Sequence, residues 1–288
     1  VQIDIEFSGY QLQKLETAWL NSIFDMDGSS PYKMSFIAYL VQKIDAQARL
    51  EDRISSINGV YVFKPAGIKS KGYFLNRQNG LRAQLFQFRD IAKKIVPFTS
   101  TLGDITAANA YDYIKAMVLN LPHDIRMSTG MKMYLPQEIL NWYREGYKQA
   151  NGTLNDYAGN IVNSPEGYGN IEFVVLTDLE GSKLIFITDE NNIEILEDVP
   201  NEKSIYRMEY LKRITYIHAD YKQTAAFVFA GFTLPKDSNF LGQAQYIWMN
   251  DAPCFSENFY VPMYGSLMGG AVEVNFNRIK TDINLLSD

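Results

Sequence analysis

Cys254 with His123 or His218 is the cysteine–histidine combination the composition offers, since the chain has one cysteine and two histidines in 288 residues. A cysteine nucleophile needs a base within hydrogen-bond reach. Two histidines meet that demand only if the fold brings one to the thiol; the plainer reading is a buried thiol and two ordinary polar histidines. Zinc asks for three or four ligands at close spacing, which these residues do not supply. In "DMDGSSPYKMSF", Asp25 and Asp27 begin like a calcium loop, but Gly28 at the fourth place and Phe36 at the twelfth break the pattern. It reads instead as a loop that ends a helix. The pairs Asp178/Glu180 and Asp189/Glu190 fall in turns with nothing apolar to raise a pKa. Carboxylates paired across the fold leave a carboxylate-type hydrolase open as an alternative. Gly265-Ser266 lacks the second glycine of a nucleophile elbow, and "EGSK" at 180–183 is a turn with no helix behind it, unlike a phosphate loop. The residues point away from an enzyme, with no catalytic residue, metal site or cofactor.

The elements that would position any site are more legible. Leu12, Leu15, Trp19 and Ile23 form one helical stripe, and Phe36, Leu40 and Ile44 begin a second. "NGVYVF" predicts a turn and a short strand, and "PAGIKSKGYFLNRQNG" at 65–80 a long projecting loop or ribbon. Leu81, Leu85, Phe88 and Ile91 or Ile95 resume a helix. Asp104 or Thr106 is the expected N-cap of the next helix, whose face is Ala107, Tyr111, Ile114, Val118 and Leu121. Pro122 stops it, with His123 at its end, where the dipole favours positive charge. Met131, Met133 and Leu135 alternate as a strand. Pro136 opens a helix bearing Ile139, Tyr143 and Tyr147, closed by Asn151-Gly152. Beyond a weakly patterned 153–170, "IEFVVLTDLEGSKLIFITDENNIEIL" predicts two strands around a hairpin turn at Asp178–Ser182. Strands continue in "SIYRMEYLKRITYIHADY", "TAAFVFAGFTLP", "QAQYIWM" and "GGAVEVNFNRI". Helices first, then helix–strand–helix, then strands: the order is that of an α+β fold.

Bulk numbers exclude more than they assign. Hydrophobic residues are 47% and charged residues 21%, the balance of a folded chain. A net charge of −6 disfavours general nucleic-acid binding, which needs clustered positive charge. The densest basic stretch, Lys64 to Arg89, is interleaved with apolar residues and reads as a solvated face or a subunit contact. A lone cysteine forbids an intrachain disulfide, and no apolar run is long enough for a transmembrane helix. The start, "VQIDIEFSGYQ", has no signal-peptide pattern and no initiating methionine, which predicts a trimmed or processed form. Aromatic residues are 14%, suiting a core or protein interfaces. "FSENFYVPMYG" at 255–265 keeps a glycan- or protein-binding surface module as a further alternative.

"ITAANAYDYIKAMVLNLPHDIRMSTGMKMYLPQEILNWYREGY" resembles the central part of major capsid proteins of tailed phages and prophages, most of all those of Bacteroides-type bacteria, which have the Hong Kong 97-like fold. The strand–turn–strand segment from Ile171 and the closing strands from Ser204 look like the segments that follow there. The likeness spans about residues 10 to 232 in diffuse hydrophobic patterns. It implies an α+β Hong Kong 97-like capsid fold with a spine helix at Asn109–Leu121, peripheral and axial domains, an N-terminal arm and an extended loop. The implied layout is an N-terminal helical arm at 1–58, the extended loop region at 59–80 and a peripheral domain with the spine helix at 81–135. The axial domain follows at 136–200, return strands of the peripheral domain at 201–235, and a C-terminal β extension at 236–288 with no counterpart in the minimal fold. The implied role is a structural subunit that self-assembles into pentamers and hexamers enclosing DNA. Its partners would be other copies of itself, with scaffold, portal and decoration proteins, packaged DNA touched only weakly and locally, and no membrane. Its place would be the virion capsid, assembled in the bacterial host cytoplasm. The extended loop would lie over the adjacent subunit, making Lys64, Lys69, Lys71, Tyr73, Phe74 and Arg77 the expected subunit contacts. Some members cross-link a lysine to an asparagine; no motif here carries that over.

Overall fold

In a computed structural model, the described residues are 2–24, 36–61, 74–155, 160–179, 181–199, 206–211, 214–231 and 245–255. The chain divides into two compact units, one formed by Val1–Arg53 with Ile195–Thr224 and the other by Ile54–Glu194 with Ala225–Asp288.

The first unit contains β1 (Gln2–Ser8), α1 (Gly9–Phe24) and the start of α2 (Phe36–Asn58). It also contains most of β5 (Ile193–Glu197), β6 (Arg207–Leu211) and β7 (Ile214–Asp220). β1, β7 and β6 form an antiparallel sheet in that order. In β7, Thr215, Ile217 and Ala219 are buried while Ile214, Tyr216 and His218 are half-buried, the alternation of a strand with one covered face. The stripe foreseen on α1 is present: Leu12, Leu15 and Trp19 are its partly covered side chains, and the Trp19 ring lies 5.8 Å from that of Phe36. Asp52 on α2 is buried, with both its oxygens 2.9 Å from the Tyr221 hydroxyl that donates to them. No element was expected at β1, although Ile3, Ile5 and Phe7 alternate with polar residues.

The second unit is built on a mixed sheet ordered β3 (Ile171–Val175), β2 (Met131–Leu135), β4 (Phe186–Asp189) and β9 (Trp248–Met249). α4 (Ala110–Leu119) and α6 (Gln137–Asn151) bury Ile114, Met117, Val118, Ile139 and Tyr143 with Met131, Met133 and Ile187 of the sheet in one cluster. A second cluster gathers Leu85 and Phe86 of α3 (Leu81–Phe86) with Phe186, Ile247 and Phe227 of β8 (Gln223–Phe227). On β2, four of five residues are buried, so the strand cannot lie at a wet edge and takes the centre. Pro136 precedes α6 and Gly152 closes it at φ 74°, the left-handed cap glycine adopts without strain, as expected.

Several expectations are corrected. Ile171–Val175 and Phe186–Asp189 do not pair as a hairpin, because β2 lies between them, parallel to β3 and antiparallel to β4. The turn at Gly181 (φ 76°) is real, but the chain returns on the far side of the more buried strand. α4 begins at Ala110, not near Ala107, and its cap is Asn109. The Asn109 side chain accepts from Thr106 N at 2.7 Å and donates to Asp104 O at 2.9 Å, holding 104–109 as turns. His123 is not on α4's last turn; exposed, it opens the five-residue α5 (His123–Met127) after Pro122. The described residues 59–61 form no strand. The helix from Leu81 changes at Gln87–Ile91 into a π turn in which Ala92 N donates to Gln87 O at 2.8 Å, and Lys93 stops it at φ 52°. The expected strand "GGAVEVNFNRI", the calcium-like stretch from Asp25 and nearly all of 255–265 lie outside the described residues.

Candidate subunit-contact site

Residues 62–73 contain Lys64, Lys69, Lys71 and no acidic side chain. Of the expected contact residues, Lys64, Lys69, Lys71 and Tyr73 lie outside the described residues, while Phe74 and Arg77 are half-buried. The two ends of the segment are tied together at one place. Val60 N donates to Leu75 O at 2.8 Å, Tyr61 N to Asn79 Oδ1 at 2.9 Å and Gly80 N to Gly59 O at 2.9 Å. A Cβ on Gly80 would come within 2.7 Å of the Ile57 carbonyl, and one on Gly59 within 2.4 Å of Ser55 O. Glycine is required at both because backbone approaches backbone there.

A polar network lies under this junction. Fully buried Ser55 accepts from Arg77 Nε at 3.3 Å and Gln78 Nε2 at 3.0 Å. Asn58 donates to Asp178 O at 2.8 Å and accepts from Arg82 Nη1 at 2.7 Å. Arg82 Nε donates to Cys254 O at 2.7 Å, with the guanidinium 5.4 Å from the Phe255 ring. Burial pulls the Arg82 pKa down to about 10, which leaves it charged at neutral pH. Gln84 donates to Asn79 O and Ala225 O and accepts from Phe227 N. The π turn aims buried Arg89 at Asn250 O (3.3 Å) and Ala252 O (2.7 Å), with Asp90 Oδ2 at 3.0 Å. Two buried arginines thus clamp the 250–254 carbonyls. Of this network, sequence reasoning found only Arg77; the doublets Asn58-Gly59 and Asn79-Gly80 flanking the basic stretch were the available signal.

The residues first weighed for catalysis are not brought together. Burial above all pushes the Cys254 thiol up to about 12, the wrong direction for a nucleophile. The groups acting on it are Arg89, Asp90 and Arg82, and neither histidine is among them. Asp189 accepts from Asn191 N, and Glu190 pairs with Lys132 at 3.4 Å. Among the described residues there is no cluster of three metal-ligating side chains, and no helix is long and apolar enough to cross a membrane.

No family model and no curated protein matches this sequence. Solved structures do. The satellite phage P4 procapsid including its size-determination (Sid) protein matches with TM-score 0.49 and 12% identity over 86% of this chain and 74% of that one. The capsid of Myoviridae phage XM1 matches with TM-score 0.43 and 11% identity over 87% and 71%. A structure from Mycobacterium phage Che8 matches with TM-score 0.34 and 12% identity over 87% and 70%. No residue role is carried over from them.

Proposed function

We propose that this chain is a shell subunit of a tailed-phage or prophage head, with the Hong Kong 97-like fold its sequence resembles. The observation that carries the reading is the built base of residues 62–73. A linker between α2 and α3 has no need of a buried arginine, a buried serine and two glycines packed backbone to backbone. A segment that must be presented to a neighbouring subunit from a fixed point does. Its three lysines and absence of acidic residues suit an acidic partner surface, and the chain itself is acidic. In support, the order helix, strand, helix implied by the resemblance is present as α4, β2 and α6.

On this reading the subunits associate head-to-tail around five-fold and six-fold positions through interfaces that close into rings. Individually modest contacts accumulate over many copies. Lys64, Lys69, Lys71, Tyr73, Phe74 and Arg77 are subunit contacts, the last two by anchoring the loop. The arm, extended-loop, peripheral and axial segments keep the boundaries given above, as do the role in enclosing DNA, the scaffold, portal and decoration partners, and assembly in a bacterial cytoplasm. Electron microscopy and sedimentation of the protein co-expressed with its neighbouring genes test the reading. Capsomers or shells are expected; a monomer at every concentration overturns it.

A further inference from the structure

We propose that Asn151 is a site of spontaneous deamidation, and that the carboxylate so formed loosens segment 160–170 from α4 and α6. Asparagine followed by glycine is the dipeptide in which the next backbone nitrogen most readily attacks the side-chain amide, because glycine brings no side chain against the closing ring. The chain has three such pairs, Asn58-Gly59, Asn79-Gly80 and Asn151-Gly152. The first two are locked. Gly59 and Gly80 are buried, and a Cβ there would meet backbone atoms at 2.4 Å and 2.7 Å. Asn58 is held by Asp178 O at 2.8 Å and Arg82 Nη1 at 2.7 Å, and Asn79 Oδ1 accepts from Tyr61 N at 2.9 Å. Asn151 and Gly152 are exposed, with nothing within 4 Å of a Cβ at Gly152. Gly152 N donates to Lys148 O at 2.8 Å, which opposes attack. That bond is the last of α6, however, and the end of a helix opens at the least cost. Once it opens, Gly152 N bonds to Asn151 Cγ, and the departing amide takes up a proton and leaves as ammonia. Water then opens either carbonyl of the succinimide ring. The net change is asparagine plus water to aspartate or isoaspartate plus ammonia.

The amide that is lost stands at a fastening point. Glu166 accepts from the Tyr111 hydroxyl and from Lys115 Nζ at 2.9 Å, both on α4, while its own N–H donates to the Tyr143 hydroxyl of α6 at 2.9 Å. A single residue thus pins the middle of 160–170 to two helices. The Asn151 amide is a hydrogen-bond neighbour of both Glu166 and Tyr111. After conversion a second carboxylate faces Glu166 where a donor stood. Like charges so close disfavour each other's ionised form, and a modification that adds charge acts by the same rule as any other charge. Isoaspartate also lengthens the backbone by a methylene group at the end of α6. The fastening is therefore strongest in newly made protein and weakens as conversion proceeds.

The full chain is incubated in mildly alkaline buffer, folded and in urea, and each Asn-Gly peptide is followed by mass spectrometry for conversion of amide to acid. In urea the three pairs should convert at similar rates. In the folded protein Asn151 should outpace Asn58 and Asn79 by about tenfold or more, the factor that ~1.4 kcal/mol of extra opening cost supplies. Equal rates at all three positions of the folded chain, or no conversion at Asn151, overturn the site. The consequence is read separately with Asn151→Asp, which fixes the charge, and Asn151→Gln, which keeps an amide and closes a ring far more slowly. Chymotrypsin should cut after Tyr168 several-fold faster in Asn151→Asp than in wild type or Asn151→Gln, and carbon-detected NMR should show the Glu166 carboxyl titrating at higher pH. A merely weakened end of α6 would speed cleavage in both variants and leave the Glu166 titration where it was. That result, or an unchanged cleavage rate, overturns the loosening. Every readout is taken on the chain without assembly, so none of these outcomes bears on the capsid reading.

Discussion

Two of the sheets among the described residues, the three-stranded one of the first unit and the four-stranded one of the second, are built to opposite specifications. In the second unit the mixed sheet has its central strand covered on both faces: Met131, Met133 and Leu135 lie in one apolar cluster and Tyr134 in the other. In the first unit the antiparallel sheet buries one face of β7 and leaves tyrosine, histidine and carboxylates on the other. Among the described residues, both apolar clusters belong to the second unit. A sheet covered twice derives its stability from packing and has no face left to offer. A sheet covered once has less apolar burial but keeps a patterned surface, where binding can be written without disturbing a core.

The contrast breaks most visibly under truncation in the core. Phe186 stacks on Tyr134 at 4.8 Å and meets Phe227 edge-on at 5.8 Å. Phe186→Ala should cost roughly 3–5 kcal/mol, measured by denaturant unfolding; a loss below about 1 kcal/mol would mean the second sheet is not the packed core described. Next comes the loop base. Arg82→Met removes charged hydrogen bonds to Asn58 and Cys254 O, each worth about 1.5–3 kcal/mol, so a destabilisation of about 3 kcal/mol is expected. It should be accompanied by faster cleavage by trypsin within 62–73. Gly80→Ala forces a Cβ against the Ile57 backbone and should cost about 1–3 kcal/mol.

Thiol chemistry sharpens the comparison further. With its thiol raised to about 12 by burial, native Cys254 should resist alkylation at pH 8 and react only as the second unit opens. Rapid labelling of the folded protein would contradict that packing. The smallest effect concerns Glu166, which accepts from Lys115 Nζ at 2.9 Å and from the Tyr111 hydroxyl. Those bonds, Tyr111 first, hold its carboxyl below the usual glutamate range. A depressed carboxylate pKa gives stability that is present above the unfolded value near 4.5 and lost as pH falls through the folded value. The Glu166→Gln protein should therefore lose less stability than wild type between pH 5 and pH 3. The difference should stay under about 1 kcal/mol, because the pair is partly exposed.

Periodicity was a reliable guide wherever one face of one element decided the outcome. The stripe of α1, the face of α6 with Tyr143 and Tyr147, its glycine cap and the alternation of β2 are all local consequences of side-chain spacing. β1 was missed because seven alternating residues at a chain start carry a weak signal until β7 pairs with them. At the candidate site, the basic stretch was legible as charge, whereas its anchoring residues were not. Ser55, Asn58, Arg82 and Gln84 are polar residues on helical stretches, and nothing in their spacing distinguishes a buried partner from a solvated one.

The sequence by itself determined a mixed helix-and-sheet chain, its helix faces and a basic segment bracketed by Asn-Gly doublets. Tertiary structure alone decided that β2 inserts between two strands that looked like a hairpin, since strand order depends on which strand must lose most water. It also decided that Arg82 and Arg89 turn inward onto backbone carbonyls, and that Glu6, Tyr216 and Glu209 stand in one row although some two hundred residues separate the first from the others. Spacing along the chain fixes which residues share a face of one element. Only register between strands fixes which faces meet.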